Sequence, residues 1–197
     1  MASAGRPRGP GAGLRLRWLL AVLAVIVVLT AGWPLVGSTV AGHRPLAAGT
    51  TITVGPTAAS SGRVTVGPGW SVMTASTNPH WYYSIARGPL RMSVRYVSLA
   101  RAGEPGALWR GLRQILRIGN PGVTPGRPRQ LTTADGSRGL IAALSGPGRT
   151  GQAAVVAAPA RPFAIEMIMT GPSRTARAVR AAGMPIIRSL RLPAAAR

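Results

Sequence analysis

Few side chains in this sequence could do covalent chemistry. The only histidines are His43 and His80, the only carboxylates are Glu104, Asp135 and Glu166, and there is neither Cys nor Lys. Without Cys there is no thiol catalysis, no disulfide, no Fe–S cluster and no cysteine zinc site. Without Lys there is no Walker A lysine and no Schiff base. Two histidines and three scattered acids could hardly build a hydrolytic metal centre unless the fold gathers them. No metal and no cofactor is therefore expected. His80 and Asp135 with a serine could form a hydrolytic triad, but no Ser stands in a nucleophile-elbow context. Gly146, Gly148 and Gly151 spell G-x-G-x-x-G. A dinucleotide site needs that motif between a strand and a helix. Here a strand is expected on both sides and Pro147 sits inside, so the motif reads as a hairpin loop.

Recognition chemistry is denser. Residues 78–83, NPHWYY, are followed by Arg87, Arg91 and Arg95. Trp81 and Tyr83 could stack on a ligand while the three arginines pair with anionic groups, forming a surface for a glycan, an acidic polymer or a partner protein. The plainer reading packs Trp81 and Tyr83 in the core beneath a solvated arginine face. Glu166 falls on a strand expected to be central, where pairing with an Arg fits better than general acid chemistry, because a buried unpaired carboxylate is costly.

The charge is lopsided. All 24 basic residues are Arg and the formal net charge is +21. Arg codons are GC-rich and Lys codons AT-rich, which suggests a GC-rich genome such as an actinobacterium's. That does not account for the scarcity of acids. Four arginines precede residue 36, so twenty remain against three acids, a net +17 for the rest of the chain. Such a field favours polyanions or an anionic membrane surface; a generally solvated cationic surface is the alternative.

Residues 18–36, WLLAVLAVIVVLTAGWPLV, are nineteen in number, uncharged, with Thr30 the only hydroxyl. A helix needs about 20 apolar residues to cross roughly 30 Å of hydrocarbon. Arg6, Arg8, Arg15 and Arg17 lie before it with no acid to offset them, which keeps the N-terminus in the cytoplasm and sends the remainder across. Arg15, Arg17, Trp18 and Trp33 are the expected interface anchors. The alternative is a signal peptide cleaved after the small residues 39–41, giving a secreted product. Export argues against nucleic acid as a partner. The expected organisation is a disordered basic cytoplasmic arm (1–17), a transmembrane helix (18–36), a tether (37–49), an extracytoplasmic domain (50–192) and a tail (193–197).

Within the domain, β-branched clusters bounded by Gly-Pro predict strands at 50–54 and 63–66, with 70–74 continuing the second. Residues 81–86 and 90–97 predict a hairpin, with Leu90, Met92, Val94 and Tyr96 facing the core and Arg91, Ser93 and Arg95 facing away. Residues 105–118 predict a helix whose apolar stripe is Leu108, Leu112, Ile115 and Leu116. Strands at 130–134, 138–144, 152–157 and 163–170 predict an antiparallel meander turning first at Asp135-Gly136. A second helix opens near Pro172 and Ser173, is interrupted at Gly183 and Pro185, and ends in a turn carrying Ile186, Ile187 and Leu190. The fold class is α+β, an antiparallel sheet with two flanking helices.

This order, with the Gly-Trp at residue 70, the mid-chain helix, the strand run and the closing Ile-Ile-x-Ser-Leu, resembles the PsbP-like fold of photosystem accessory subunits and of the actinobacterial LpqN-type lipoproteins. The lipobox Cys of those lipoproteins is missing. The resemblance spans about residues 50–192 and implies an accessory or binding domain, not an enzyme; it carries over no site residues. The expected function is a single-pass membrane protein whose outer domain contacts an envelope protein or an anionic envelope polymer or lipid. The alternative is an envelope hydrolase centred on His80.

Overall fold

The computed structural model describes residues 42–119 and 122–193. The basic arm, the expected span at 18–36 and its anchors Arg15, Arg17, Trp18 and Trp33 lie outside the described residues. Among the described residues no helix is long and apolar enough to cross a membrane.

The strands are β1 (His43–Pro45), β2 (Thr51–Thr57), β3 (Ser60–Thr65), β4 (Ser71–Met73), β5 (Tyr82–Arg87), β6 (Leu90–Ser98), β7 (Thr124–Pro125), β8 (Arg129–Thr132), β9 (Arg138–Gly146), β10 (Arg149–Ala157) and β11 (Phe163–Pro172). The helices are α1 (Pro105–Gly119), between β6 and β7, and α2 (Ala176–Arg188), after β11. Nine strands form one antiparallel sheet in the order β1-β4-β5-β6-β11-β10-β9-β7, with β8 also on the outer side of β9; β2 and β3 form a separate hairpin. The antiparallel sheet with two flanking helices is as the sequence indicates, and β8 through β11 are the expected meander.

Side-chain alternation builds the layers. Leu90, Met92, Val94 and Tyr96 of β6 and Phe163, Ile165, Met167 and Met169 of β11 are buried in one core with Ile52, Val64, Val179, Ile186 and Ile187. Hairpin β2–β3 and helix α2 therefore cover this face. Ala153 and Val155 of β10 and Ala164 of β11 point the other way, into a smaller core with Trp109, Leu112 and Leu116 of α1. A strand covered on both faces reads mostly apolar, as β10 does over 153–157 and β11 does over 163–169 apart from Glu166. The hairpin can lie against β11 because residue 62 is glycine: a Cβ there would sit 2.6 Å from Ile165 Cγ1.

Four details depart from the sequence reading. Residues 71–73 do not extend β3; after Gly69, at φ +80°, the chain crosses into the large sheet beside β5. His43–Pro45, within the expected tether, pairs with β4. Helix α1 buries Trp109 and leaves Ile115 45% exposed, because the indole has the larger apolar area to hide. Helix α2 runs unbroken through Gly183 and Pro185. Pro185 offers no N–H to the carbonyl of Ala181, at a position where both residues are exposed.

Candidate functional site

The expected patch is divided between two faces. Trp81 is about half exposed and meets Tyr96 edge-on, with ring centroids 5.5 Å apart. Tyr83 packs against the larger core and lines a cleft of about 630 Å³ that also includes Arg44 and Ile52. Arg87 is exposed at the end of β5, its side chain beside Gly69. Arg91 and Arg95 lie on the opposite face of the sheet. Arg91 turns back on its own hairpin and donates from Nη1 to the Gly88 carbonyl at 2.7 Å. Arg95 lies over Tyr82, 5.8 Å from the ring centroid. Its cross-strand neighbour is Glu166. The five residues thus make no common surface.

Glu166 is 5% exposed and its Oε2 has no hydrogen-bond partner among the described residues. Burial pushes its carboxyl above the ordinary range, and the charge of Arg95 only partly offsets this. The expected Arg neighbour is therefore present, but as a nearby charge and not as a hydrogen-bonded pair.

His80 and Asp135 are not assembled for hydrolysis. His80 is exposed in the turn before β5, with its backbone N–H donating to Asn78 Oδ1 at 3.1 Å. Asp135 is occupied in its own turn, accepting from Thr133 Oγ1, from the Ser137 N–H and Oγ, and from the Leu192 N–H. Among the described residues no three His, Cys, Asp or Glu side chains are grouped to hold a metal ion. The G-x-G-x-x-G is the β9–β10 hairpin turn, with Gly148 at φ +65°.

The structure assembles a different site. A cleft of about 900 Å³ lies between α2 and the outer strands β8 and β9. Arg180, Met184 and Arg188 line it from α2, one stripe at i, i+4 and i+8. The same helix buries Val179, Gly183, Ile186 and Ile187, which fixes that stripe toward β8 and β9. Arg127 and Arg129 enter from the opposite wall, and no Asp or Glu is part of the lining. Guanidinium groups only donate and match phosphate or carboxylate oxygens in pairs, so the cleft suits an anion.

In its floor is Gln152, 7% exposed, whose Oε1 has no hydrogen-bond partner among the described residues. A buried polar atom left unpaired costs about 1–3 kcal/mol. Gln152 faces α2 where residue 183 is glycine; a Cβ there would lie 3.0 Å from Oε1 and 3.0 Å from Met169 Sδ.

None of these cleft residues stood out in the sequence. The lone Gln at the head of the otherwise apolar run 152–157 is one signal, and the Arg180–Arg188 spacing is another. That α2 faces β8 is a fact of topology, which neither signal carries.

No protein-family model matches this chain, and no curated protein matches it in sequence. Solved structures resemble it. Cyanobacterial PsbP (CyanoP) from Synechocystis sp. PCC 6803 is similar with a TM-score of 0.53 and 10% identity, over 75% of this chain and 95% of that one. The Ran-binding protein Mog1p of Saccharomyces cerevisiae is similar with a TM-score of 0.51 and 9% identity, over 73% of this chain and 95% of that one. The domain has a PsbP-like fold.

Proposed function

We propose that this chain is a single-pass membrane protein whose PsbP-like domain works outside the cytoplasmic membrane as an accessory, non-catalytic module binding an anionic envelope polymer. The anchor is supported by the apolar residues 18–36 and the arginines before them; cleavage near 39–41, releasing the domain, is the alternative. The likeness to actinobacterial LpqN-type proteins belongs to the same proposal and is supported by the closing Ile186-Ile187-x-Ser-Leu and by Trp70. The yeast neighbour is a Ran-binding protein, a precedent for binding by this fold. A hydrolase would need His80 within hydrogen-bond reach of a carboxylate and a nucleophile, and His80 lies on an exposed turn instead.

One observation carries the choice of ligand: four arginines converge on a cleft whose lining holds no carboxylate. The test uses the full-length chain in mild detergent against immobilised polyphosphate. The variant R127A/R180A/R188A removes three charges from the cleft. The variant R110A/R113A/R117A removes three exposed charges from α1, on the other side of the sheet. The cleft variant is expected to weaken binding at least tenfold and the α1 variant less than threefold. Equal losses would mean a diffuse field and no site.

A further inference from the structure

We infer that the cleft recognises a phosphate group carried on a hydroxylated unit, a sugar or polyol phosphate, with the arginines taking the phosphate and the Gln152 amide taking a neighbouring hydroxyl. This deepens the anion-binding reading and rests on it.

Two independent features meet in one place. The first is the set of four arginines, Arg127 and Arg129 on one wall and Arg180 and Arg188 on the other. Four guanidiniums offer more donors than the two oxygens of a carboxylate can accept, whereas a phosphate presents more oxygens and up to two charges. The second is the buried, unpartnered amide of Gln152 in the floor. An anion held by the arginines through ionised oxygens alone has no donor for Oε1. An amide can exchange its O and N ends by turning about its last torsion, and a hydroxyl both donates and accepts, so a hydroxyl in the cleft can pair with whichever end is turned toward it. Gly183 places the backbone of α2 directly over this amide, so no side chain of the helix fills that role. A site built to hydrogen-bond a hydroxyl discriminates against the analogue lacking it, because its own polar group is then left unpaired.

The experiment is titration calorimetry of the full-length chain in detergent with glucose 6-phosphate and with hexyl phosphate, which has the same charged group and no hydroxyl. Wild type is expected to bind glucose 6-phosphate about tenfold more tightly, the ratio one added hydrogen bond gives. Gln152→Leu and Gln152→Met, with melting curves confirming the fold, are expected to bind both probes alike at the hexyl phosphate level. R180A/R188A is expected to lose both. Equal binding of the two probes by wild type, with both lost in R180A/R188A, overturns the hydroxyl assignment and leaves the anion reading standing. Binding of neither probe overturns both. Glucuronate binding as tightly as glucose 6-phosphate overturns the choice of phosphate.

Discussion

The Asp135 carboxylate accepts a 2.6 Å hydrogen bond from the backbone N–H of Leu192, 57 residues further along the chain. Around it the Ala134 N–H donates to the Arg188 carbonyl at 2.7 Å, and Arg191 exchanges two backbone hydrogen bonds with Arg63 of β3. One turn of the β8–β9 hairpin thus holds the end of α2 and the segment that follows it. Arg188 belongs to the cleft, so the same turn sets the distance between its two walls.

Asp135→Asn tests that link. Partial burial pushes the Asp135 carboxyl up, but the hydrogen bonds from Leu192, Thr133 and Ser137 outweigh it, and its pKa lies below the ordinary value of 3.8. A carboxyl depressed by folding adds stability above its unfolded pKa and loses it as pH falls through the folded one. Asparagine would turn a donor toward donors. The expected loss is about 1 kcal/mol at pH 7, kept small by solvent screening of a largely exposed group. Melting temperature should fall by about 2–4 °C. Wild type and variant should converge as pH falls below 3.8 and through the folded-state pKa; a difference unchanged at low pH would assign the effect to shape and not to charge.

Glu166 carries the opposite sign. Burial raises its pKa above the ordinary value of 4.5, so folding favours the protonated form. The penalty is absent below the unfolded pKa and complete once pH rises past the folded one. Glu166→Gln is expected to raise stability at pH 7 by about 1 kcal/mol, with no gain at pH 3. Arg95→Ala should deepen the penalty at pH 7, since Arg95 supplies the offsetting charge. Urea titrations at the two pH values read both effects. A Glu166→Gln protein less stable than wild type at pH 7 would show that the carboxylate has a partner after all.

Legibility in the sequence followed the range of the interactions. The face of β6 was readable because alternation is a local rule: Leu90, Met92, Val94 and Tyr96 are buried, and Arg91 and Arg95 exposed. The β8–β9 turn was readable because Asp135-Gly136 is a local signal, with Gly136 at φ +82°. The patch of Trp81, Tyr83, Arg87, Arg91 and Arg95 divides because Arg87 pairs with Leu90 across the turn, so the odd-numbered residues of β5 and of β6 fall on opposite faces. Tyr82 was the neighbour Arg95 required. Gly183 and Pro185 looked like breaks, yet Gly183 is where α2 presses on β10 and β11. The cleft joins residues 127–129 to 180–188 through Gln152, and only the order of strands brings them together.

Gly62 tests how the hairpin meets the sheet. Its missing side chain lets β3 approach Ile165, and a Cβ there would fall 2.6 Å from Ile165 Cγ1 and 3.2 Å from Leu190 Cδ1. Both neighbours are fully buried, so neither can move aside without shifting others. Gly62→Ala is expected to destabilise by about 1–3 kcal/mol, the cost of overpacking. Denaturant midpoints measure it. An unchanged midpoint would mean that the hairpin rides loosely on the sheet.

The proposed topology makes the last prediction. Four arginines and no acid precede residues 18–36, and the remainder of the chain carries +17. A C-terminal tag on the full-length chain should be cut by protease added to intact spheroplasts, and the membrane-bound product should keep its full mass. Cleavage near 39–41 would instead release a shorter soluble product, leaving the binding domain outside but without its tether. A protected tag would put the cationic domain inside the cell. The cleft of Arg127, Arg129, Arg180 and Arg188 would then meet cytoplasmic phosphates, among them nucleic acid and the inner leaflet. Only that outcome would change which polyanion the arginines face, because it alone moves the cleft across the membrane.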